Sequence, residues 1–348
     1  MRTFQQLHQP TGRTLSIDEQ QFLFFGGTAY LGLLTHPDYI ALFKGGIDRY
    51  GLNNGTSRSN NVQLGIYDEA EQALSLRFGF GTSALFSSGY LAAQAAVSAL
   101  TEGKKVYYAP ESHPALWRSG KPQTGNVHED WLKQTIQEIN TSTDSDFVLI
   151  SNTLDNLTPK AYDFAPISTV HPDKKLTLIL DDSHGIAICN KNAISIDPTP
   201  FAQENIDVVI VASLAKGLGT DAGIVLGNPS TIKQVKTHPI FMGGSPASPA
   251  SMYALLEGRE IYDSQFDVLQ ANISFLDSLL PTDQWHRISH FPVFTSENPH
   301  VYRHLLKQNI LISSFPYPLP TSPLLNRIVV SALHQQEDLE RLVEVLAS

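Results

Sequence analysis

Asp207-Val-Val-Ile-Val-Ala-Ser213-Leu-Ala-Lys216-Gly217-Leu-Gly219 decides how the rest of this sequence is read. Val208 to Ala212 is apolar without alternation, the pattern of a strand covered on both faces. The run ends at a serine, and a lone lysine follows three residues later in a glycine-rich turn. The carboxyl end of such a strand is where open α/β sheets bind ligands. A lysine held there loses its proton more readily and can serve as an amine nucleophile towards an aldehyde. The plainer reading, a solvated loop lysine, is the fate of most lysines. The neighbouring strands separate the two.

At 348 residues the chain exceeds one simple core, and two domains are expected. Its 42% hydrophobic and 17% charged composition is that of an ordinary globular protein. A net charge of -10 and a pI near 5.6 argue against nucleic acid or an anionic membrane as partner. They leave room for a local basic pocket that takes a phosphate. The single cysteine, Cys189, excludes a disulfide framework and a multi-cysteine zinc site, and no metal is expected. Met1 to His8 lacks the apolar core of a signal peptide. No window approaches ~18 consecutive apolar residues. The expectation is a soluble, cytoplasmic protein.

Outward from the lysine turn, the chain alternates regularly. Strands are expected at Ala84–Ser88, Val106–Ala109, Phe147–Ser151, Leu176–Leu180, Val208–Ala212 and Gly223–Gly227. Helices are expected at Tyr67–Phe78, Leu91–Leu100 and His128–Ile139 between them. This rhythm predicts an α/β domain over 46–248 with a mostly parallel, doubly covered sheet. Residues 1–45 read as an N-terminal arm. Residues 249–348 read as one long connecting helix, from Pro249 to about Leu280, and a smaller α+β domain.

The strand ends carry the chemistry. Ser88-Gly89-Tyr90 opens a helix, where backbone N–H groups and the helix dipole suit an anion. His113 follows the second strand, Asp181 and His184 follow the fourth, and Ser213 and Lys216 follow the fifth. Singly, each has an ordinary explanation as a cap, a satisfied histidine or a turn residue. Gathered on one edge of one sheet, they are better explained as a site. A pyridine ring bearing an aldehyde and a phosphate would use every one of them, and that is pyridoxal 5′-phosphate. Lys216 meets the aldehyde and Asp181 the ring nitrogen. His184 reaches the phenolic oxygen, and His113 stacks on the ring. Ser213 and the Ser88 turn take the phosphate.

The ordered set resembles the α-oxoamine synthase group of fold-type I pyridoxal-phosphate enzymes, from Tyr30-Leu-Gly-Leu to Ser331-Ala-Leu-His334. Asp181-Asp-Ser-His184-Gly resembles that family's aspartate-x-alanine-histidine-glycine. Ser213-Leu-Ala-Lys216-Gly resembles its Ser/Thr-x-x-Lys-Gly, and Ser112-His113-Pro-Ala its stacking histidine. The resemblance implies an aspartate-aminotransferase-like fold and a reaction between an amino acid and an acyl thioester. It implies that Lys216, His113, Asp181 and His184 are catalytic, and that Arg327 binds the amino-acid carboxylate. Gly243-Gly-Ser245-Pro-Ala-Ser-Pro249 resembles a segment that reaches the phosphate in the neighbouring subunit, which implies a homodimer with sites at the interface.

The departures fall where substrate approaches. The asparagine usual before Tyr30 is missing, and the Asn53–Val62 loop keeps Arg58 but loses a later glycine. Ser151-Asn152-Thr-Leu-Asp-Asn156 differs clearly from the family's stretch. Arg58 and Asn152 are therefore expected to face substrate beside Arg327. Transamination, or aldol cleavage of a β-hydroxy amino acid, remains an alternative with the same cofactor. A non-catalytic protein that only binds the cofactor is a third reading.

Overall fold

The computed structural model describes residues 4–125, 127–316 and 321–348. Residues 1–3 of the expected arm and 317–320 of the expected C-terminal domain lie outside them. The chain opens with a hairpin, β1 (Thr14–Ile17) and β2 (Gln20–Phe25), then α1 (Pro37–Tyr50) and α2 (Ile66–Phe78). β3 (Thr82–Phe86), α3 (Gly89–Leu100), β4 (Lys105–Tyr108), α4 (His128–Thr141) and β5 (Asp146–Asn152) follow. A small ribbon, β6 (Leu154–Asp155) and β7 (Lys160–Ala161), precedes β8 (Lys175–Asp181), β9 (Ile206–Ser213), α5 (Leu214–Gly217) and β10 (Gly223–Gly227). Next come α6 (Pro229–Thr237), α7 (Pro239–Gly243), α8 (Pro249–Glu257) and α9 (Arg259–Leu279). The last elements are β11 (Val293–Ser296), α10 (Val301–Lys307), β12 (Ile310–Pro316), β13 (Leu324–Val329) and α11 (Gln336–Ala347).

The larger sheet has the order β3-β10-β9-β8-β5-β4. β4, β5, β8 and β9 pair in parallel, and β10 runs against both of its neighbours. These are the six strands that the sequence rhythm predicts. Their lack of alternation has a simple cause, since successive side chains point to opposite faces. Leu149, Leu178, Leu180, Ile210 and Ile224 feed the main core on one face. Val148, Ile150, Ile179, Val209 and Val211 feed a second core against the alanines of α3 on the other. Both faces are dry, so both alternating sets must be apolar.

The smaller sheet has the order β1-β2-β12-β13-β11. β2 joins it by a parallel ladder that sets Leu23 opposite Ile310 and Phe25 opposite Ile312. The expected single helix after Pro249 is two helices. They part at Gly258, where a β-carbon would lie 2.7 Å from the Ala254 carbonyl oxygen and 3.2 Å from the Tyr39 ring. Only glycine lets the backbone pass so close. Among the described residues, no helix is long and apolar enough to cross a membrane.

Candidate active site

Strand register builds the site. β5 and β8 place Asn152 opposite Asp181, and β8 and β9 place Asp181 opposite Val211. The carboxyl ends of three parallel strands thus open side by side. Beyond them lies a cavity of about 360 Å³ lined by His113, Asn152, Asp181, His184 and Lys216, among others. Asp155, Trp117 and Lys121 also line it.

Each side chain is held by its turn. The Asp181 Oδ1 accepts from the Ser183 N–H at 2.9 Å. The Ser183 Oγ in turn accepts from the Ser213 N–H at 2.9 Å, which ties the β8 turn to the start of α5. Lys216 sits in that single helical turn. Burial lowers its ammonium pKa and Arg327 lowers it further, while Asp181 opposes both. His113 is pushed down by burial and by Lys216, against the pull of Asp181. His184 is pushed well down, by burial first and then by Lys216 and Arg327. These mutual effects place a neutral imidazole pair and a readily deprotonated amine around one carboxylate.

Asn152 has structural partners at the rim. Its Oδ1 accepts from the His113 N–H at 3.1 Å, and its Nδ2 donates to the Glu111 carbonyl at 2.8 Å. Glu111 has φ 59, a left-handed conformation costly for a side-chain-bearing residue. Asn152 therefore clamps the strained turn that presents His113.

Ser88 caps α3, its Oγ accepting from the Leu91 N–H at 3.2 Å. A β-carbon on Gly89 would fall 2.7 Å from the Ser213 Cα, and one on Gly223 2.1 Å from the Ser88 carbonyl oxygen. The start of α3 is thus pressed onto the ends of β9 and β10, backbone to backbone. Tyr90 points outward and is 59% exposed. Ser245 and Arg58 do not line the main cavity. They share a small cleft with Phe86, Ser87 and Leu91. There Arg58 lies over the Tyr67 and Phe241 rings and pairs with Asp68 at 3.2 Å and Glu71 at 3.6 Å.

Arg327 comes from β13 in the smaller sheet and is 6% exposed. Burial lowers its pKa, and the charges of Tyr30 and Asp155 oppose the shift. Among the described residues, its Nε and Nη2 have no hydrogen-bond partner. A buried guanidinium with two idle donors is costly unless an anion completes it. Here is the clearest unfilled demand in the structure.

Two residues have roles that the sequence pattern does not assign. Tyr30 donates or accepts at 2.8 Å with the His184 Nδ1. Asp182 is fully buried and accepts from the Thr153 Oγ1 at 2.7 Å, the Ser195 N–H at 2.9 Å and the Ser195 hydroxyl. It latches the Asp181–His184 turn to two loops. The doubled aspartate was the available signal, since one of two adjacent carboxylates at a strand end must face inward. Asp182→Ala leaves those donors unpaired and should cost about 3 kcal/mol in denaturant unfolding.

The pH response of the same group follows. Burial outweighs its three donors and pushes the Asp182 pKa up to about 7. The unfolded carboxyl ionises near ~3.9, so the unfolded chain releases its proton first. The stability from this group is therefore present below about pH 4 and lost as pH rises towards about 7. Asp182→Asn should flatten that slope in unfolding curves; an unchanged slope would assign it elsewhere.

Known proteins match the chain along nearly its whole length. The family model for aminotransferase class I and II matches residues 26–346. The 8-amino-7-oxononanoate synthase of Pseudomonas syringae pv. tomato is 24% identical over 367 residues, covering 98% of this chain and 90% of that protein. The enzyme of the same name from Pectobacterium atrosepticum is 24% identical over 358 residues, covering 97% and 91%. Among solved structures, a serine palmitoyltransferase from S. paucimobilis with bound pyridoxal phosphate and myriocin superposes with TM-score 0.80 at 16% identity, covering 97% of this chain and 90% of that one. The Francisella tularensis 8-amino-7-oxononanoate synthase superposes with TM-score 0.68 at 16% identity, covering 94% and 97%. At those identities the superpositions establish the fold, and the family match covers the strand-end motifs. The chain belongs to the aminotransferase class I and II family and is a pyridoxal-phosphate-dependent transferase of fold type I.

Proposed function

We propose that this chain is an α-oxoamine synthase. It joins an amino acid to the acyl group of a thioester and releases the thiol and carbon dioxide. The inferred pair is L-alanine and a pimeloyl thioester, as in the relatives named 8-amino-7-oxononanoate synthase. One observation carries the reading: Lys216 and Asp181 share a cavity, and the buried Arg327, whose charge lowers the Lys216 pKa, has two nitrogens without a hydrogen-bond partner among the described residues.

Pyridoxal phosphate, when bound, supplies an aldehyde that captures amines and a ring that draws electrons from the adjacent carbon. The residues present fit that group. Lys216 offers the amine, and its lowered pKa leaves it able to take the proton from the amino acid's α-carbon. The Asp181 carboxylate can hold a proton on the ring nitrogen. His113 and His184 can flank the ring. Ser213 and the N–H groups that open α3 can take the phosphate. Arg327 offers a planar fork of donors for the substrate carboxylate. Loss of that carboxyl carbon drives the condensation forward.

Completion by a second subunit belongs to the same proposal. Exposed Met242 and Ser245 support it, lying beside and on the segment expected at the interface. Light scattering on the purified chain should give twice the mass of one chain.

The deciding assay incubates the holoenzyme with L-alanine and a pimeloyl thioester and follows carbon dioxide and free thiol. One mole of each per mole of product is the expected outcome. A 2-oxo acid without thiol release would overturn the proposal in favour of transamination, which the breadth of the matching family makes the second reading.

A further inference from the structure

Tyr30 is fully buried between the two sheets. Its carbonyl accepts from the Ala332 N–H at 2.9 Å, and its ring leans on Phe291 with centroids 6.3 Å apart. The backbone and ring are thus fixed before the hydroxyl is considered. That hydroxyl lies 2.8 Å from the His184 Nδ1, its one possible acceptor among the hydrogen-bond partners of the described residues. The Arg327 guanidinium stands beside it.

A guanidinium only donates, so it can approach the phenol oxygen but cannot take the phenol proton. Among the described residues, the imidazole nitrogen is then the single acceptor available to that proton. The opposite assignment, with Nδ1–H donating to the tyrosine, would leave a buried O–H with nowhere to point. We infer that Tyr30 is a positioning residue that donates to the His184 Nδ1 and fixes this histidine as its Nε2–H tautomer. The cavity therefore meets a hydrogen-bond donor, not an acceptor, at His184. Burial keeps the ring neutral, so the tautomer is a real choice.

The consequence for ligand selection rests on the transferase reading. A fixed donor favours an oxygen anion opposite it, such as the phenolate of the pyridoxal ring. Through Tyr30, the side chain that meets the ring is oriented from the neighbourhood of the residue expected to meet the substrate carboxylate. Neither Phe nor a flipped tyrosine could serve.

The test uses the full ligand-free chain labelled with nitrogen-15 on histidine, with His184→Gln assigning the signal. The wild type should show an unprotonated Nδ1 and a protonated Nε2 on His184. Tyr30→Phe should lose that bias, giving a mixture or the reverse tautomer. A protonated Nδ1 in the wild type overturns the inference, and so does an unchanged pattern in Tyr30→Phe. The wild-type spectrum decides even if the variant folds poorly. It is recorded without cofactor or substrate, so the tautomer it reports does not depend on which reaction the enzyme catalyses. In a spectral titration with pyridoxal phosphate, Tyr30→Phe should bind about tenfold more weakly, the loss of one hydrogen bond to a charged group. Equal affinity would overturn the link between the tautomer and the ring.

Discussion

Lys216→Ala should abolish the visible absorbance that borohydride bleaches in the holoenzyme, and should cut turnover by at least about 10³-fold. The amine sits in the turn that ends β9, in the cavity with Asp181, and burial together with Arg327 favours its neutral form. Lys121 also lines the cavity wall, but it lies on the loop between β4 and α4 rather than at the end of a strand. Mass spectrometry of the reduced wild type should therefore find the cofactor on the Lys216 peptide alone. A borohydride-sensitive band that survives the substitution would place the attachment on another lysine. The ligand-free variant should be at least as stable as the wild type, because it no longer holds a cation in a partly desolvated site. A loss of both stability and absorbance would point to a structural lysine instead.

Arg327→Ala should raise the amino-acid KM by about 10²- to 10³-fold while the affinity for pyridoxal phosphate changes by less than about threefold. The guanidinium is buried, has two nitrogens without a hydrogen-bond partner among the described residues, and lowers the Lys216 pKa by its charge. An anion there would complete its hydrogen bonds, and truncation removes that gain at once. Arg327→Lys should rescue little, since an ammonium cannot present the planar fork. Titration with L-alanine, read through the cofactor spectrum, measures the two affinities separately. If both fall together, Arg327 holds the phosphate or the fold rather than the substrate.

Much of the fold is legible because the larger sheet is covered on both faces. That burial makes Phe147–Ser151, Leu176–Leu180 and Val208–Ala212 read as uninterrupted apolar runs, so the strand ends and their polar residues stand out. Asp181, His184, His113 and Lys216 then converge by register alone. Long-range pairing has no such signal. The β2 segment Gln20–Phe25 looks like part of a loose arm, yet it forms an inner strand of the smaller sheet because β12 offers it a parallel edge. The break at Gly258 is hidden because a lone glycine within an otherwise helical pattern is often tolerated. Tyr30 stands out only as part of a motif. What ties it to His184 is a contact between segments far apart in sequence. Arg58 is drawn out by its polar loop, and the structure sets it against Tyr67, Phe241 and Glu71 in a cleft apart from the main cavity.

The parallel ladder between β2 and β12 also sets a timetable. During synthesis the β1–β2 hairpin emerges early, and the other edge of β2 stays open until Ile310–Ile312 have been made. Tyr30 follows β2 directly, and its carbonyl waits for Ala332. A chain that ends before β12 lacks the strand that carries Arg327 and the partner that seats Tyr30. Such fragments would hold the reactive amine without the groups that orient what it meets. Of the site residues, the one expected to hold the substrate carboxylate is thus made last.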